Sequence, residues 1–391
     1  MKLPFRVRTL SLVLFILICS LSASAYSQTD FSTAPRAKPD GKKWRIGYLQ
    51  GGPYRNYPGV LLATVQQLAE LGWIERPTFP QAQDADAARN LWAWLAANAR
   101  SQYIEFVADA FWSDDWNADR RKTNKELLLK KLNGGELDLM IAMGTWAGQD
   151  LSNDSHFIPT VVCSTSDPVA AKIVKSVEDS GHDHMHARVD PNRYERQIRL
   201  FHDIIGFKKL GIPYEDSDAG RTYCSIDKIE KVAKELNFEI VRCNTKASTP
   251  NDQEAEESVI RCAEELAPKV DAFYITLQKG VNMKSLPKIL APLNEKKVPT
   301  FSQAGSHEVA CGALLSIAQA GFKYEGRFYA ETIARIFNGA KPRQVTQLFE
   351  DPPKIAINLA TAKTINWDAP MDALAAADEI YEGLEHCGSG N

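Results

Sequence analysis

Three histidines stand at alternate positions in the run His182-Asp183-His184-Met185-His186, and in an extended chain that spacing puts all three imidazoles on one face. Zn²⁺ takes such nitrogen ligands. A specific site also needs convergent groups behind the ligands, so the segment is read as a solvated histidine-rich loop and no metal is expected. Paired acids at Asp114-Asp115 and Glu215-Asp216 offer a second chemistry, but neighbouring carboxylates on a loop are ordinarily just solvated, and glycoside hydrolysis needs a particular separation between them. The Gly-x-Ser-x-Gly elbow, the Walker phosphate loop and the helical His-Glu-x-x-His are missing from the sequence. These residues point to no enzyme and no cofactor.

Non-covalent chemistry is better supplied. Gln50, Gly52 and Tyr54 follow one apolar run, Thr145 and Trp146 another, and Ser166, Asp167, Tyr214, Gln278 and Ser302 follow further ones. Small, hydroxylated and amide-bearing residues suit a compact polar ligand. Thr145 and Ser166 are expected where a strand hands over to a helix, and helix starts favour anionic groups such as a carboxylate. Ser166 and Asp167 also suit capping of the helix expected after them. Tyr54, Tyr57, Trp146 and Tyr214 offer flat rings for stacking, and Phe111, Trp112 and Trp116 could extend that wall.

The elements that must position these residues alternate between strand and helix. Strands are predicted at 44–49, 103–108, 137–143, 209–214, 238–243, 272–276 and 300–303, and helices at 58–71, 120–132, 221–236 and 253–266. The apolar run 137–143 fits a central strand covered on both sides. This rhythm, repeated in two halves, predicts an α/β protein of two doubly wound parallel-sheet lobes. Ligands bind at the carboxyl ends of such strands. Within 76–101, Leu91, Trp92, Trp94 and Leu95 read as an extra packing helix.

Lys2, Arg6 and Arg8 precede an apolar run from Leu10 to Leu21 and then Ala23-Ser24-Ala25, the order of a cleaved secretory signal peptide over 1–25. The run is too short to span a membrane, and a linker is expected over 26–42. The net charge of −3 becomes more negative once the signal is removed, which argues against nucleic acid as a partner. Cys163, Cys224, Cys243, Cys262, Cys311 and Cys387 are dispersed and form no Cys-x-x-Cys pair. They are expected to pack as buried thiols, with disulfides open to them in an oxidising compartment.

The stretches Ile46-Gly47-Tyr48-Leu49-Gln50-Gly51-Gly52-Pro53, Asp138-Leu139-Met140-Ile141-Ala142-Met143-Gly144-Thr145, Ser166-Asp167-Pro168-Val169-Ala170, Val270-Asp271-Ala272-Phe273-Tyr274-Ile275 and Glu350-Asp351-Pro352-Pro353-Lys354 occur in an order that resembles the substrate-binding proteins of an ABC-type importer family. That family includes binding proteins for tryptophan and tyrosine. The resemblance implies a type 1 periplasmic binding fold with a three-crossover hinge. The crossings are expected near 164–168, 302–306 and 345–353, giving a first lobe of 43–164 plus 306–345 and a second of 165–305 plus 346–391. It also implies a small-molecule ligand, a membrane permease as partner, a monomer and a periplasmic location. Relatives usually carry an Asp where this chain has Gln278 and another where it has Gln303, and a neutral amide cannot pair with a ligand ammonium.

The expected function is capture of a small polar molecule, such as an aromatic amino acid or related carboxylate, for delivery to the importer. A ligand-sensing module for a membrane kinase or cyclase is the alternative within the same fold, and a metal-dependent hydrolase built on the histidines is the alternative from another class.

Overall fold

The computed structural model describes residues 31–76, 78, 87–318, 322–350 and 354–384. The expected signal peptide lies outside them, as do Cys387 and part of the 76–101 segment. Elements run β1 (Trp44–Gln50), α1 (Tyr57–Glu70), α2 (Ala87–Asn98), β2 (Ile104–Ser113), α3 (Ala118–Asn133), β3 (Leu139–Met143), α4 (Thr145–Leu151), β4 (Thr160–Cys163) and β5 (Met185–Ala187). The five strands form one parallel sheet in the order β2-β1-β3-β4-β5.

The chain continues with α5 (Arg193–Ile205), β6 (Lys209–Tyr214), α6 (Asp218–Tyr223), α7 (Ile226–Leu236), β7 (Glu239–Asn244), α8 (Asp252–Leu266), β8 (Ala272–Ile275), α9 (Leu286–Glu295), β9 (Thr300–Ser302), α10 (Ser306–Ala310) and β10 (Leu315–Ala318). Then come α11 (Lys323–Phe337), β11 (Lys354–Asn358), α12 (Leu359–Thr364), α13 (Met371–Ala376) and β12 (Ala377–Tyr381). The second sheet has the order β12-β11-β10-β9-β8-β6-β7, parallel except where β10 meets β11. The α/β fold of two parallel-sheet lobes expected from the sequence is therefore present.

Two of the three crossings lie later than expected. Met185, His186 and Ala187 are buried and pair with β4, so the chain leaves the first sheet only after β5, not near 164–168. Likewise β10 still pairs with β9 and β11, and the chain returns to the first lobe at α11, beyond the expected 302–306. Both strands are short, and β5 is polar enough to read as loop. The third crossing carries the chain from α11 to β11. It runs beside the first, with Val189 N–H donating to Gln347 O (2.7 Å) and Phe349 N–H to Val189 O (3.0 Å).

Packing explains the placement of α11. Tyr329, Ile333 and Phe337 join the core under the first sheet with Val60, Leu61, Val65 and Leu68 of α1. The two helices approach closely enough that a Cβ on Gly326 would lie 2.5 Å from the Ala63 carbonyl carbon. On the edge strand, β2 carries extra residues between Phe106 and Phe111 relative to β1. Bulges of this kind free a ladder group, and Trp92 of α2 donates its indole N–H to Val107 O (3.0 Å). The α2 residues thus pack as the sequence suggests, with Leu91, Trp92 and Leu95 buried. The predicted helix 221–236 is instead split into α6 and α7 at Ser225, whose φ is 56°.

The cysteines divide. Cys163 and Cys224 are buried thiols, as expected. Cys243 and Cys262 form a disulfide joining β7 to α8, and Cys311 is disulfide-bonded too. Sequence spacing could not reveal the first pairing, because it depends on α8 folding back over its own edge strand.

Gly326→Ala should lower stability by ~1–3 kcal/mol through forced separation of the two helices, despite alanine's better helix propensity. Urea denaturation tests this, and an unchanged or raised midpoint would show that the close approach is not required.

Candidate functional site

Parallel pairing brings the ends of β1, β2, β3 and β4 to one edge of the first sheet, and their loops build one wall. Gly51 and Gly52 pass under Trp116, where a Cβ would lie 3.0 and 2.6 Å from the indole. Asp115 and Trp116 both take left-handed φ values, 50° and 56°, a conformation rare for a bulky residue. That turn folds the indole back over the glycines, where its N–H donates to Pro53 O (3.0 Å). Trp146 meets Trp116 edge-on at 5.6 Å, and the Arg121 guanidinium lies 4.6 Å from the Trp146 ring. At Gly144, φ is 86° and a Cβ would collide with the Tyr57 hydroxyl.

Some residues singled out from the sequence hold this wall together. Gln50 is buried, accepting from Tyr48 Oη (2.9 Å) and donating to Ser113 Oγ (3.2 Å). Thr145 opens α4, which is only seven residues long. No helix follows Ser166: the chain forms turns there, and Asp167 accepts from the Val169 and Ala170 N–H groups (3.1 and 2.9 Å). The expectation of a helix start at Ser166 is therefore corrected, because Pro168 and the Asp167 turn divert the chain. Thr165, beside it, is buried with a hydroxyl that has no partner among the described residues.

The second sheet presents the ends of β6, β8 and β9. Tyr214 belongs to the core beneath that sheet, on the same strand face as Ile212 and Leu210, so its ring is not open for stacking as expected. Gln278 is buried and bonded throughout: Oε1 accepts from Thr245 Oγ1 (2.7 Å), and Nε2 donates to Pro213 O (3.0 Å) and Thr276 Oγ1 (2.7 Å). Gln303 accepts from Leu277 N–H (2.8 Å) and donates to Tyr223 O (3.0 Å). Both amides brace strand ends. Ser302 accepts from the Ala304 and Gly305 N–H groups and donates to Glu308 Oε2 (2.7 Å).

Two residues not singled out from the sequence join the lobes. Arg55, in the loop after β1, donates to Glu308 Oε1 of α10 at 2.7 Å. The Glu308 side chain is 1% exposed and the Arg55 side chain 29%. Burial, the largest single influence, works against the Arg55 charge, but Glu308 and the Tyr54 hydroxyl together outweigh it and hold the guanidinium above its ordinary value. Tyr54 lies beside this pair, its ring 5.2 Å from Tyr57. Burial foremost raises the Tyr54 hydroxyl, with Glu308 and Tyr194 adding to it and Arg55 opposing. The only local sequence signal was the position of Arg55 in a strand-end loop.

A second charge pair sits at the crossings. Arg188 follows β5 and meets Glu325 of α11 at 3.3 Å, both buried. Glu325 accepts from Tyr329 Oη (3.0 Å), and that hydroxyl accepts from Ser164 N–H (3.1 Å) at the end of β4. The Arg188 guanidinium lies 5.5 Å from the Phe349 ring in the third crossing.

The histidines do not converge. His184 packs edge-on against His156 at 4.7 Å between ring centroids, and His182 lies 5.6 Å from His184. His186 packs against Phe328 on the other side, 2.9 Å from Thr346 O. Only Met185–Ala187 is strand, so the single-face arrangement of an extended run does not form. Among the described residues no group of three or more His, Cys, Asp or Glu is arranged to hold a metal. Burial pushes the His156 and His186 imidazoles down to about 4.

Asp114, just after β2, is fully buried, with one oxygen accepting from Asn124 Nδ2 (2.9 Å) and the other without a partner among the described residues. Burial is the main cause that pushes its carboxyl up to about 6; the Asn124 bond and Arg121 oppose the shift, and Asp150 and Asp115 add to it. A raised carboxyl binds its proton more tightly folded than unfolded. Its support for the fold is therefore full below about pH 4 and lost as pH rises through about 6. Asp114→Asn should raise the melting temperature at pH 7.5 and leave it unchanged near pH 4, as read by calorimetry; an equal effect at both would contradict this.

Residues 112–381 match the family described as ABC transporter substrate binding protein. A tyrosine-binding protein of Clostridioides difficile is 26% identical over 272 residues, spanning 68% of this chain and 73% of that protein. Among solved structures, the ABC domain from Streptococcus pneumoniae in complex with L-Trp superposes with a TM-score of 0.62 at 18% identity, covering 86% of this chain and 99% of that one. The ligand-free, open structure of a Clostridium difficile substrate-binding protein with adhesive properties gives a TM-score of 0.58 at 20% identity, covering 88% and 100%. The two structures share the type 1 periplasmic binding fold seen here. With two such sheets joined by three crossings and most of its length matched, the chain belongs to the ABC transporter substrate-binding protein family, whose members bind solutes and are not enzymes.

Proposed function

We propose that this protein is the periplasmic receptor of an ABC importer, acting as a monomer that captures an aromatic amino acid or related carboxylate between its lobes and delivers it to the membrane permease. The observation that carries this reading is the Arg55–Glu308 contact, which brings the strand-end loops of the two sheets together. Trp116 and Trp146 stand on one of those edges as an aromatic surface suited to a flat ring. Tyr54, Thr145, Trp146, Thr165 and Ser166 are the contacts proposed on the first lobe. Gln50, Gly52, Asp167, Gln278 and Ser302 shape the walls rather than touch the solute.

The likeness to a tyrosine-binding protein and to a fold solved with L-Trp supports the ligand class. No described helix is long and apolar enough to cross a membrane, which agrees with a receptor that meets its permease as a separate chain.

L-tyrosine or L-tryptophan should raise the melting temperature in a thermal-shift titration, by the equivalent of ~2.7 kcal/mol at a hundredfold excess over the dissociation constant. If neither amino acid shifts it while another metabolite class does, the ligand assignment is wrong.

A further inference from the structure

We infer that Arg55 receives the carboxylate of the bound solute and that Glu308 is the residue that positions it, so that the site selects a free α-carboxylate; this rests on the receptor reading above.

The sequence points to helix starts for that role, and the structure withdraws them. Ser166 is followed by turns and α4 is barely two turns long. The polar side chains of the second-lobe edge are also committed, with Gln278 and Gln303 each bonded at both amide ends. Arg55 is different. A guanidinium carries five N–H donors in a planar fork, and Glu308 accepts one of them at 2.7 Å. The Arg55 side chain is 29% exposed; Glu308 takes one N–H and the Tyr54 hydroxyl also interacts with the fork, and two of the donors left over can match a carboxylate bidentately.

Glu308 is built to hold the fork still. Its second oxygen accepts from Ser302 Oγ at 2.7 Å, and Ser302 is itself pinned by two backbone N–H groups at 3.1 Å. The carboxylate is thus fixed to the end of β9 and reaches across to the loop after β1. Charge arithmetic favours a zwitterion. Arg55 and Glu308 already cancel, so a solute bearing both charges adds no net charge to a partly desolvated site, whereas an amine alone or an acid alone does.

The test is calorimetric titration of L-tyrosine and L-tryptophan against their carboxamides, which keep the ammonium and ring but lose the anionic group. Wild-type protein should prefer the free acids by about 100-fold, the size expected when hydrogen bonds to a charged group are lost. In Arg55→Ala that preference should fall below about 10-fold, and Arg55→Lys should be intermediate because it keeps charge without the fork. Glu308→Gln should weaken binding of the acids, and Arg55→Ala/Glu308→Gln should be no worse than Arg55→Ala alone, the non-additivity of residues acting as a unit. If Arg55→Ala binds acid and amide more weakly by the same factor, Arg55 only ties the lobes together and the inference is overturned while the receptor reading stands. If wild-type protein binds neither acid nor amide, the aromatic amino-acid assignment falls and this inference with it.

Discussion

Arg55 and Glu308 are 253 residues apart in the chain and belong to different sheets, yet they meet at 2.7 Å with the carboxylate almost wholly out of solvent. Removing a charge from water is costly unless a partner is supplied. Approach of the lobes and stabilisation of Glu308 are therefore one event, and separation would leave that carboxylate with Ser302 alone. The crossings have their own version of the same device. Arg188, Glu325, Tyr329 and Ser164 form a buried chain of charged and polar contacts that ties the first crossing, the base of α11 and the end of β4 together.

Around these pairs the site divides its polar groups into two kinds. Gln50, Gln278, Gln303 and Ser302 satisfy strand ends and backbone groups that would otherwise be buried without partners. Tyr54, Thr145, Thr165 and Ser166 are the groups that the proposed function assigns to a solute. Glycines make the geometry possible where side chains could not: Gly51 and Gly52 let an indole lie on the backbone, and Gly144 leaves room for the Tyr57 hydroxyl. Asp114 sits behind this wall without full satisfaction.

The central strands of both sheets were legible because long apolar runs admit one reading. Met140, Ile141, Ala142 and Met143 are buried on both faces of β3, as the run 137–143 suggests. Among the short strands, two that moved the crossings were not legible: β5 has three residues with a histidine at its centre, and β10 has four. Their assignment depends on partners far along the chain, and that dependence moved two crossings. The histidines misled for a related reason, since period two holds only where a strand exists. Tyr214 and Gln278 were found as strand-end residues, but the sequence could not show which way each side chain turns. Glu308 gave no local signal. Sequence comparison with relatives made this edge look short of a carboxylate, while the fold supplies one from α10, a turn beyond the strand.

The measurement that bears most directly on the account is a crystal structure of the protein grown with L-tyrosine or L-tryptophan. The account predicts the amino acid between the lobes, its carboxylate on the Arg55 fork and its ring toward Trp116 and Trp146. A ligand whose carboxylate is held by backbone N–H groups alone, with Arg55 still bound only to Glu308, would contradict it.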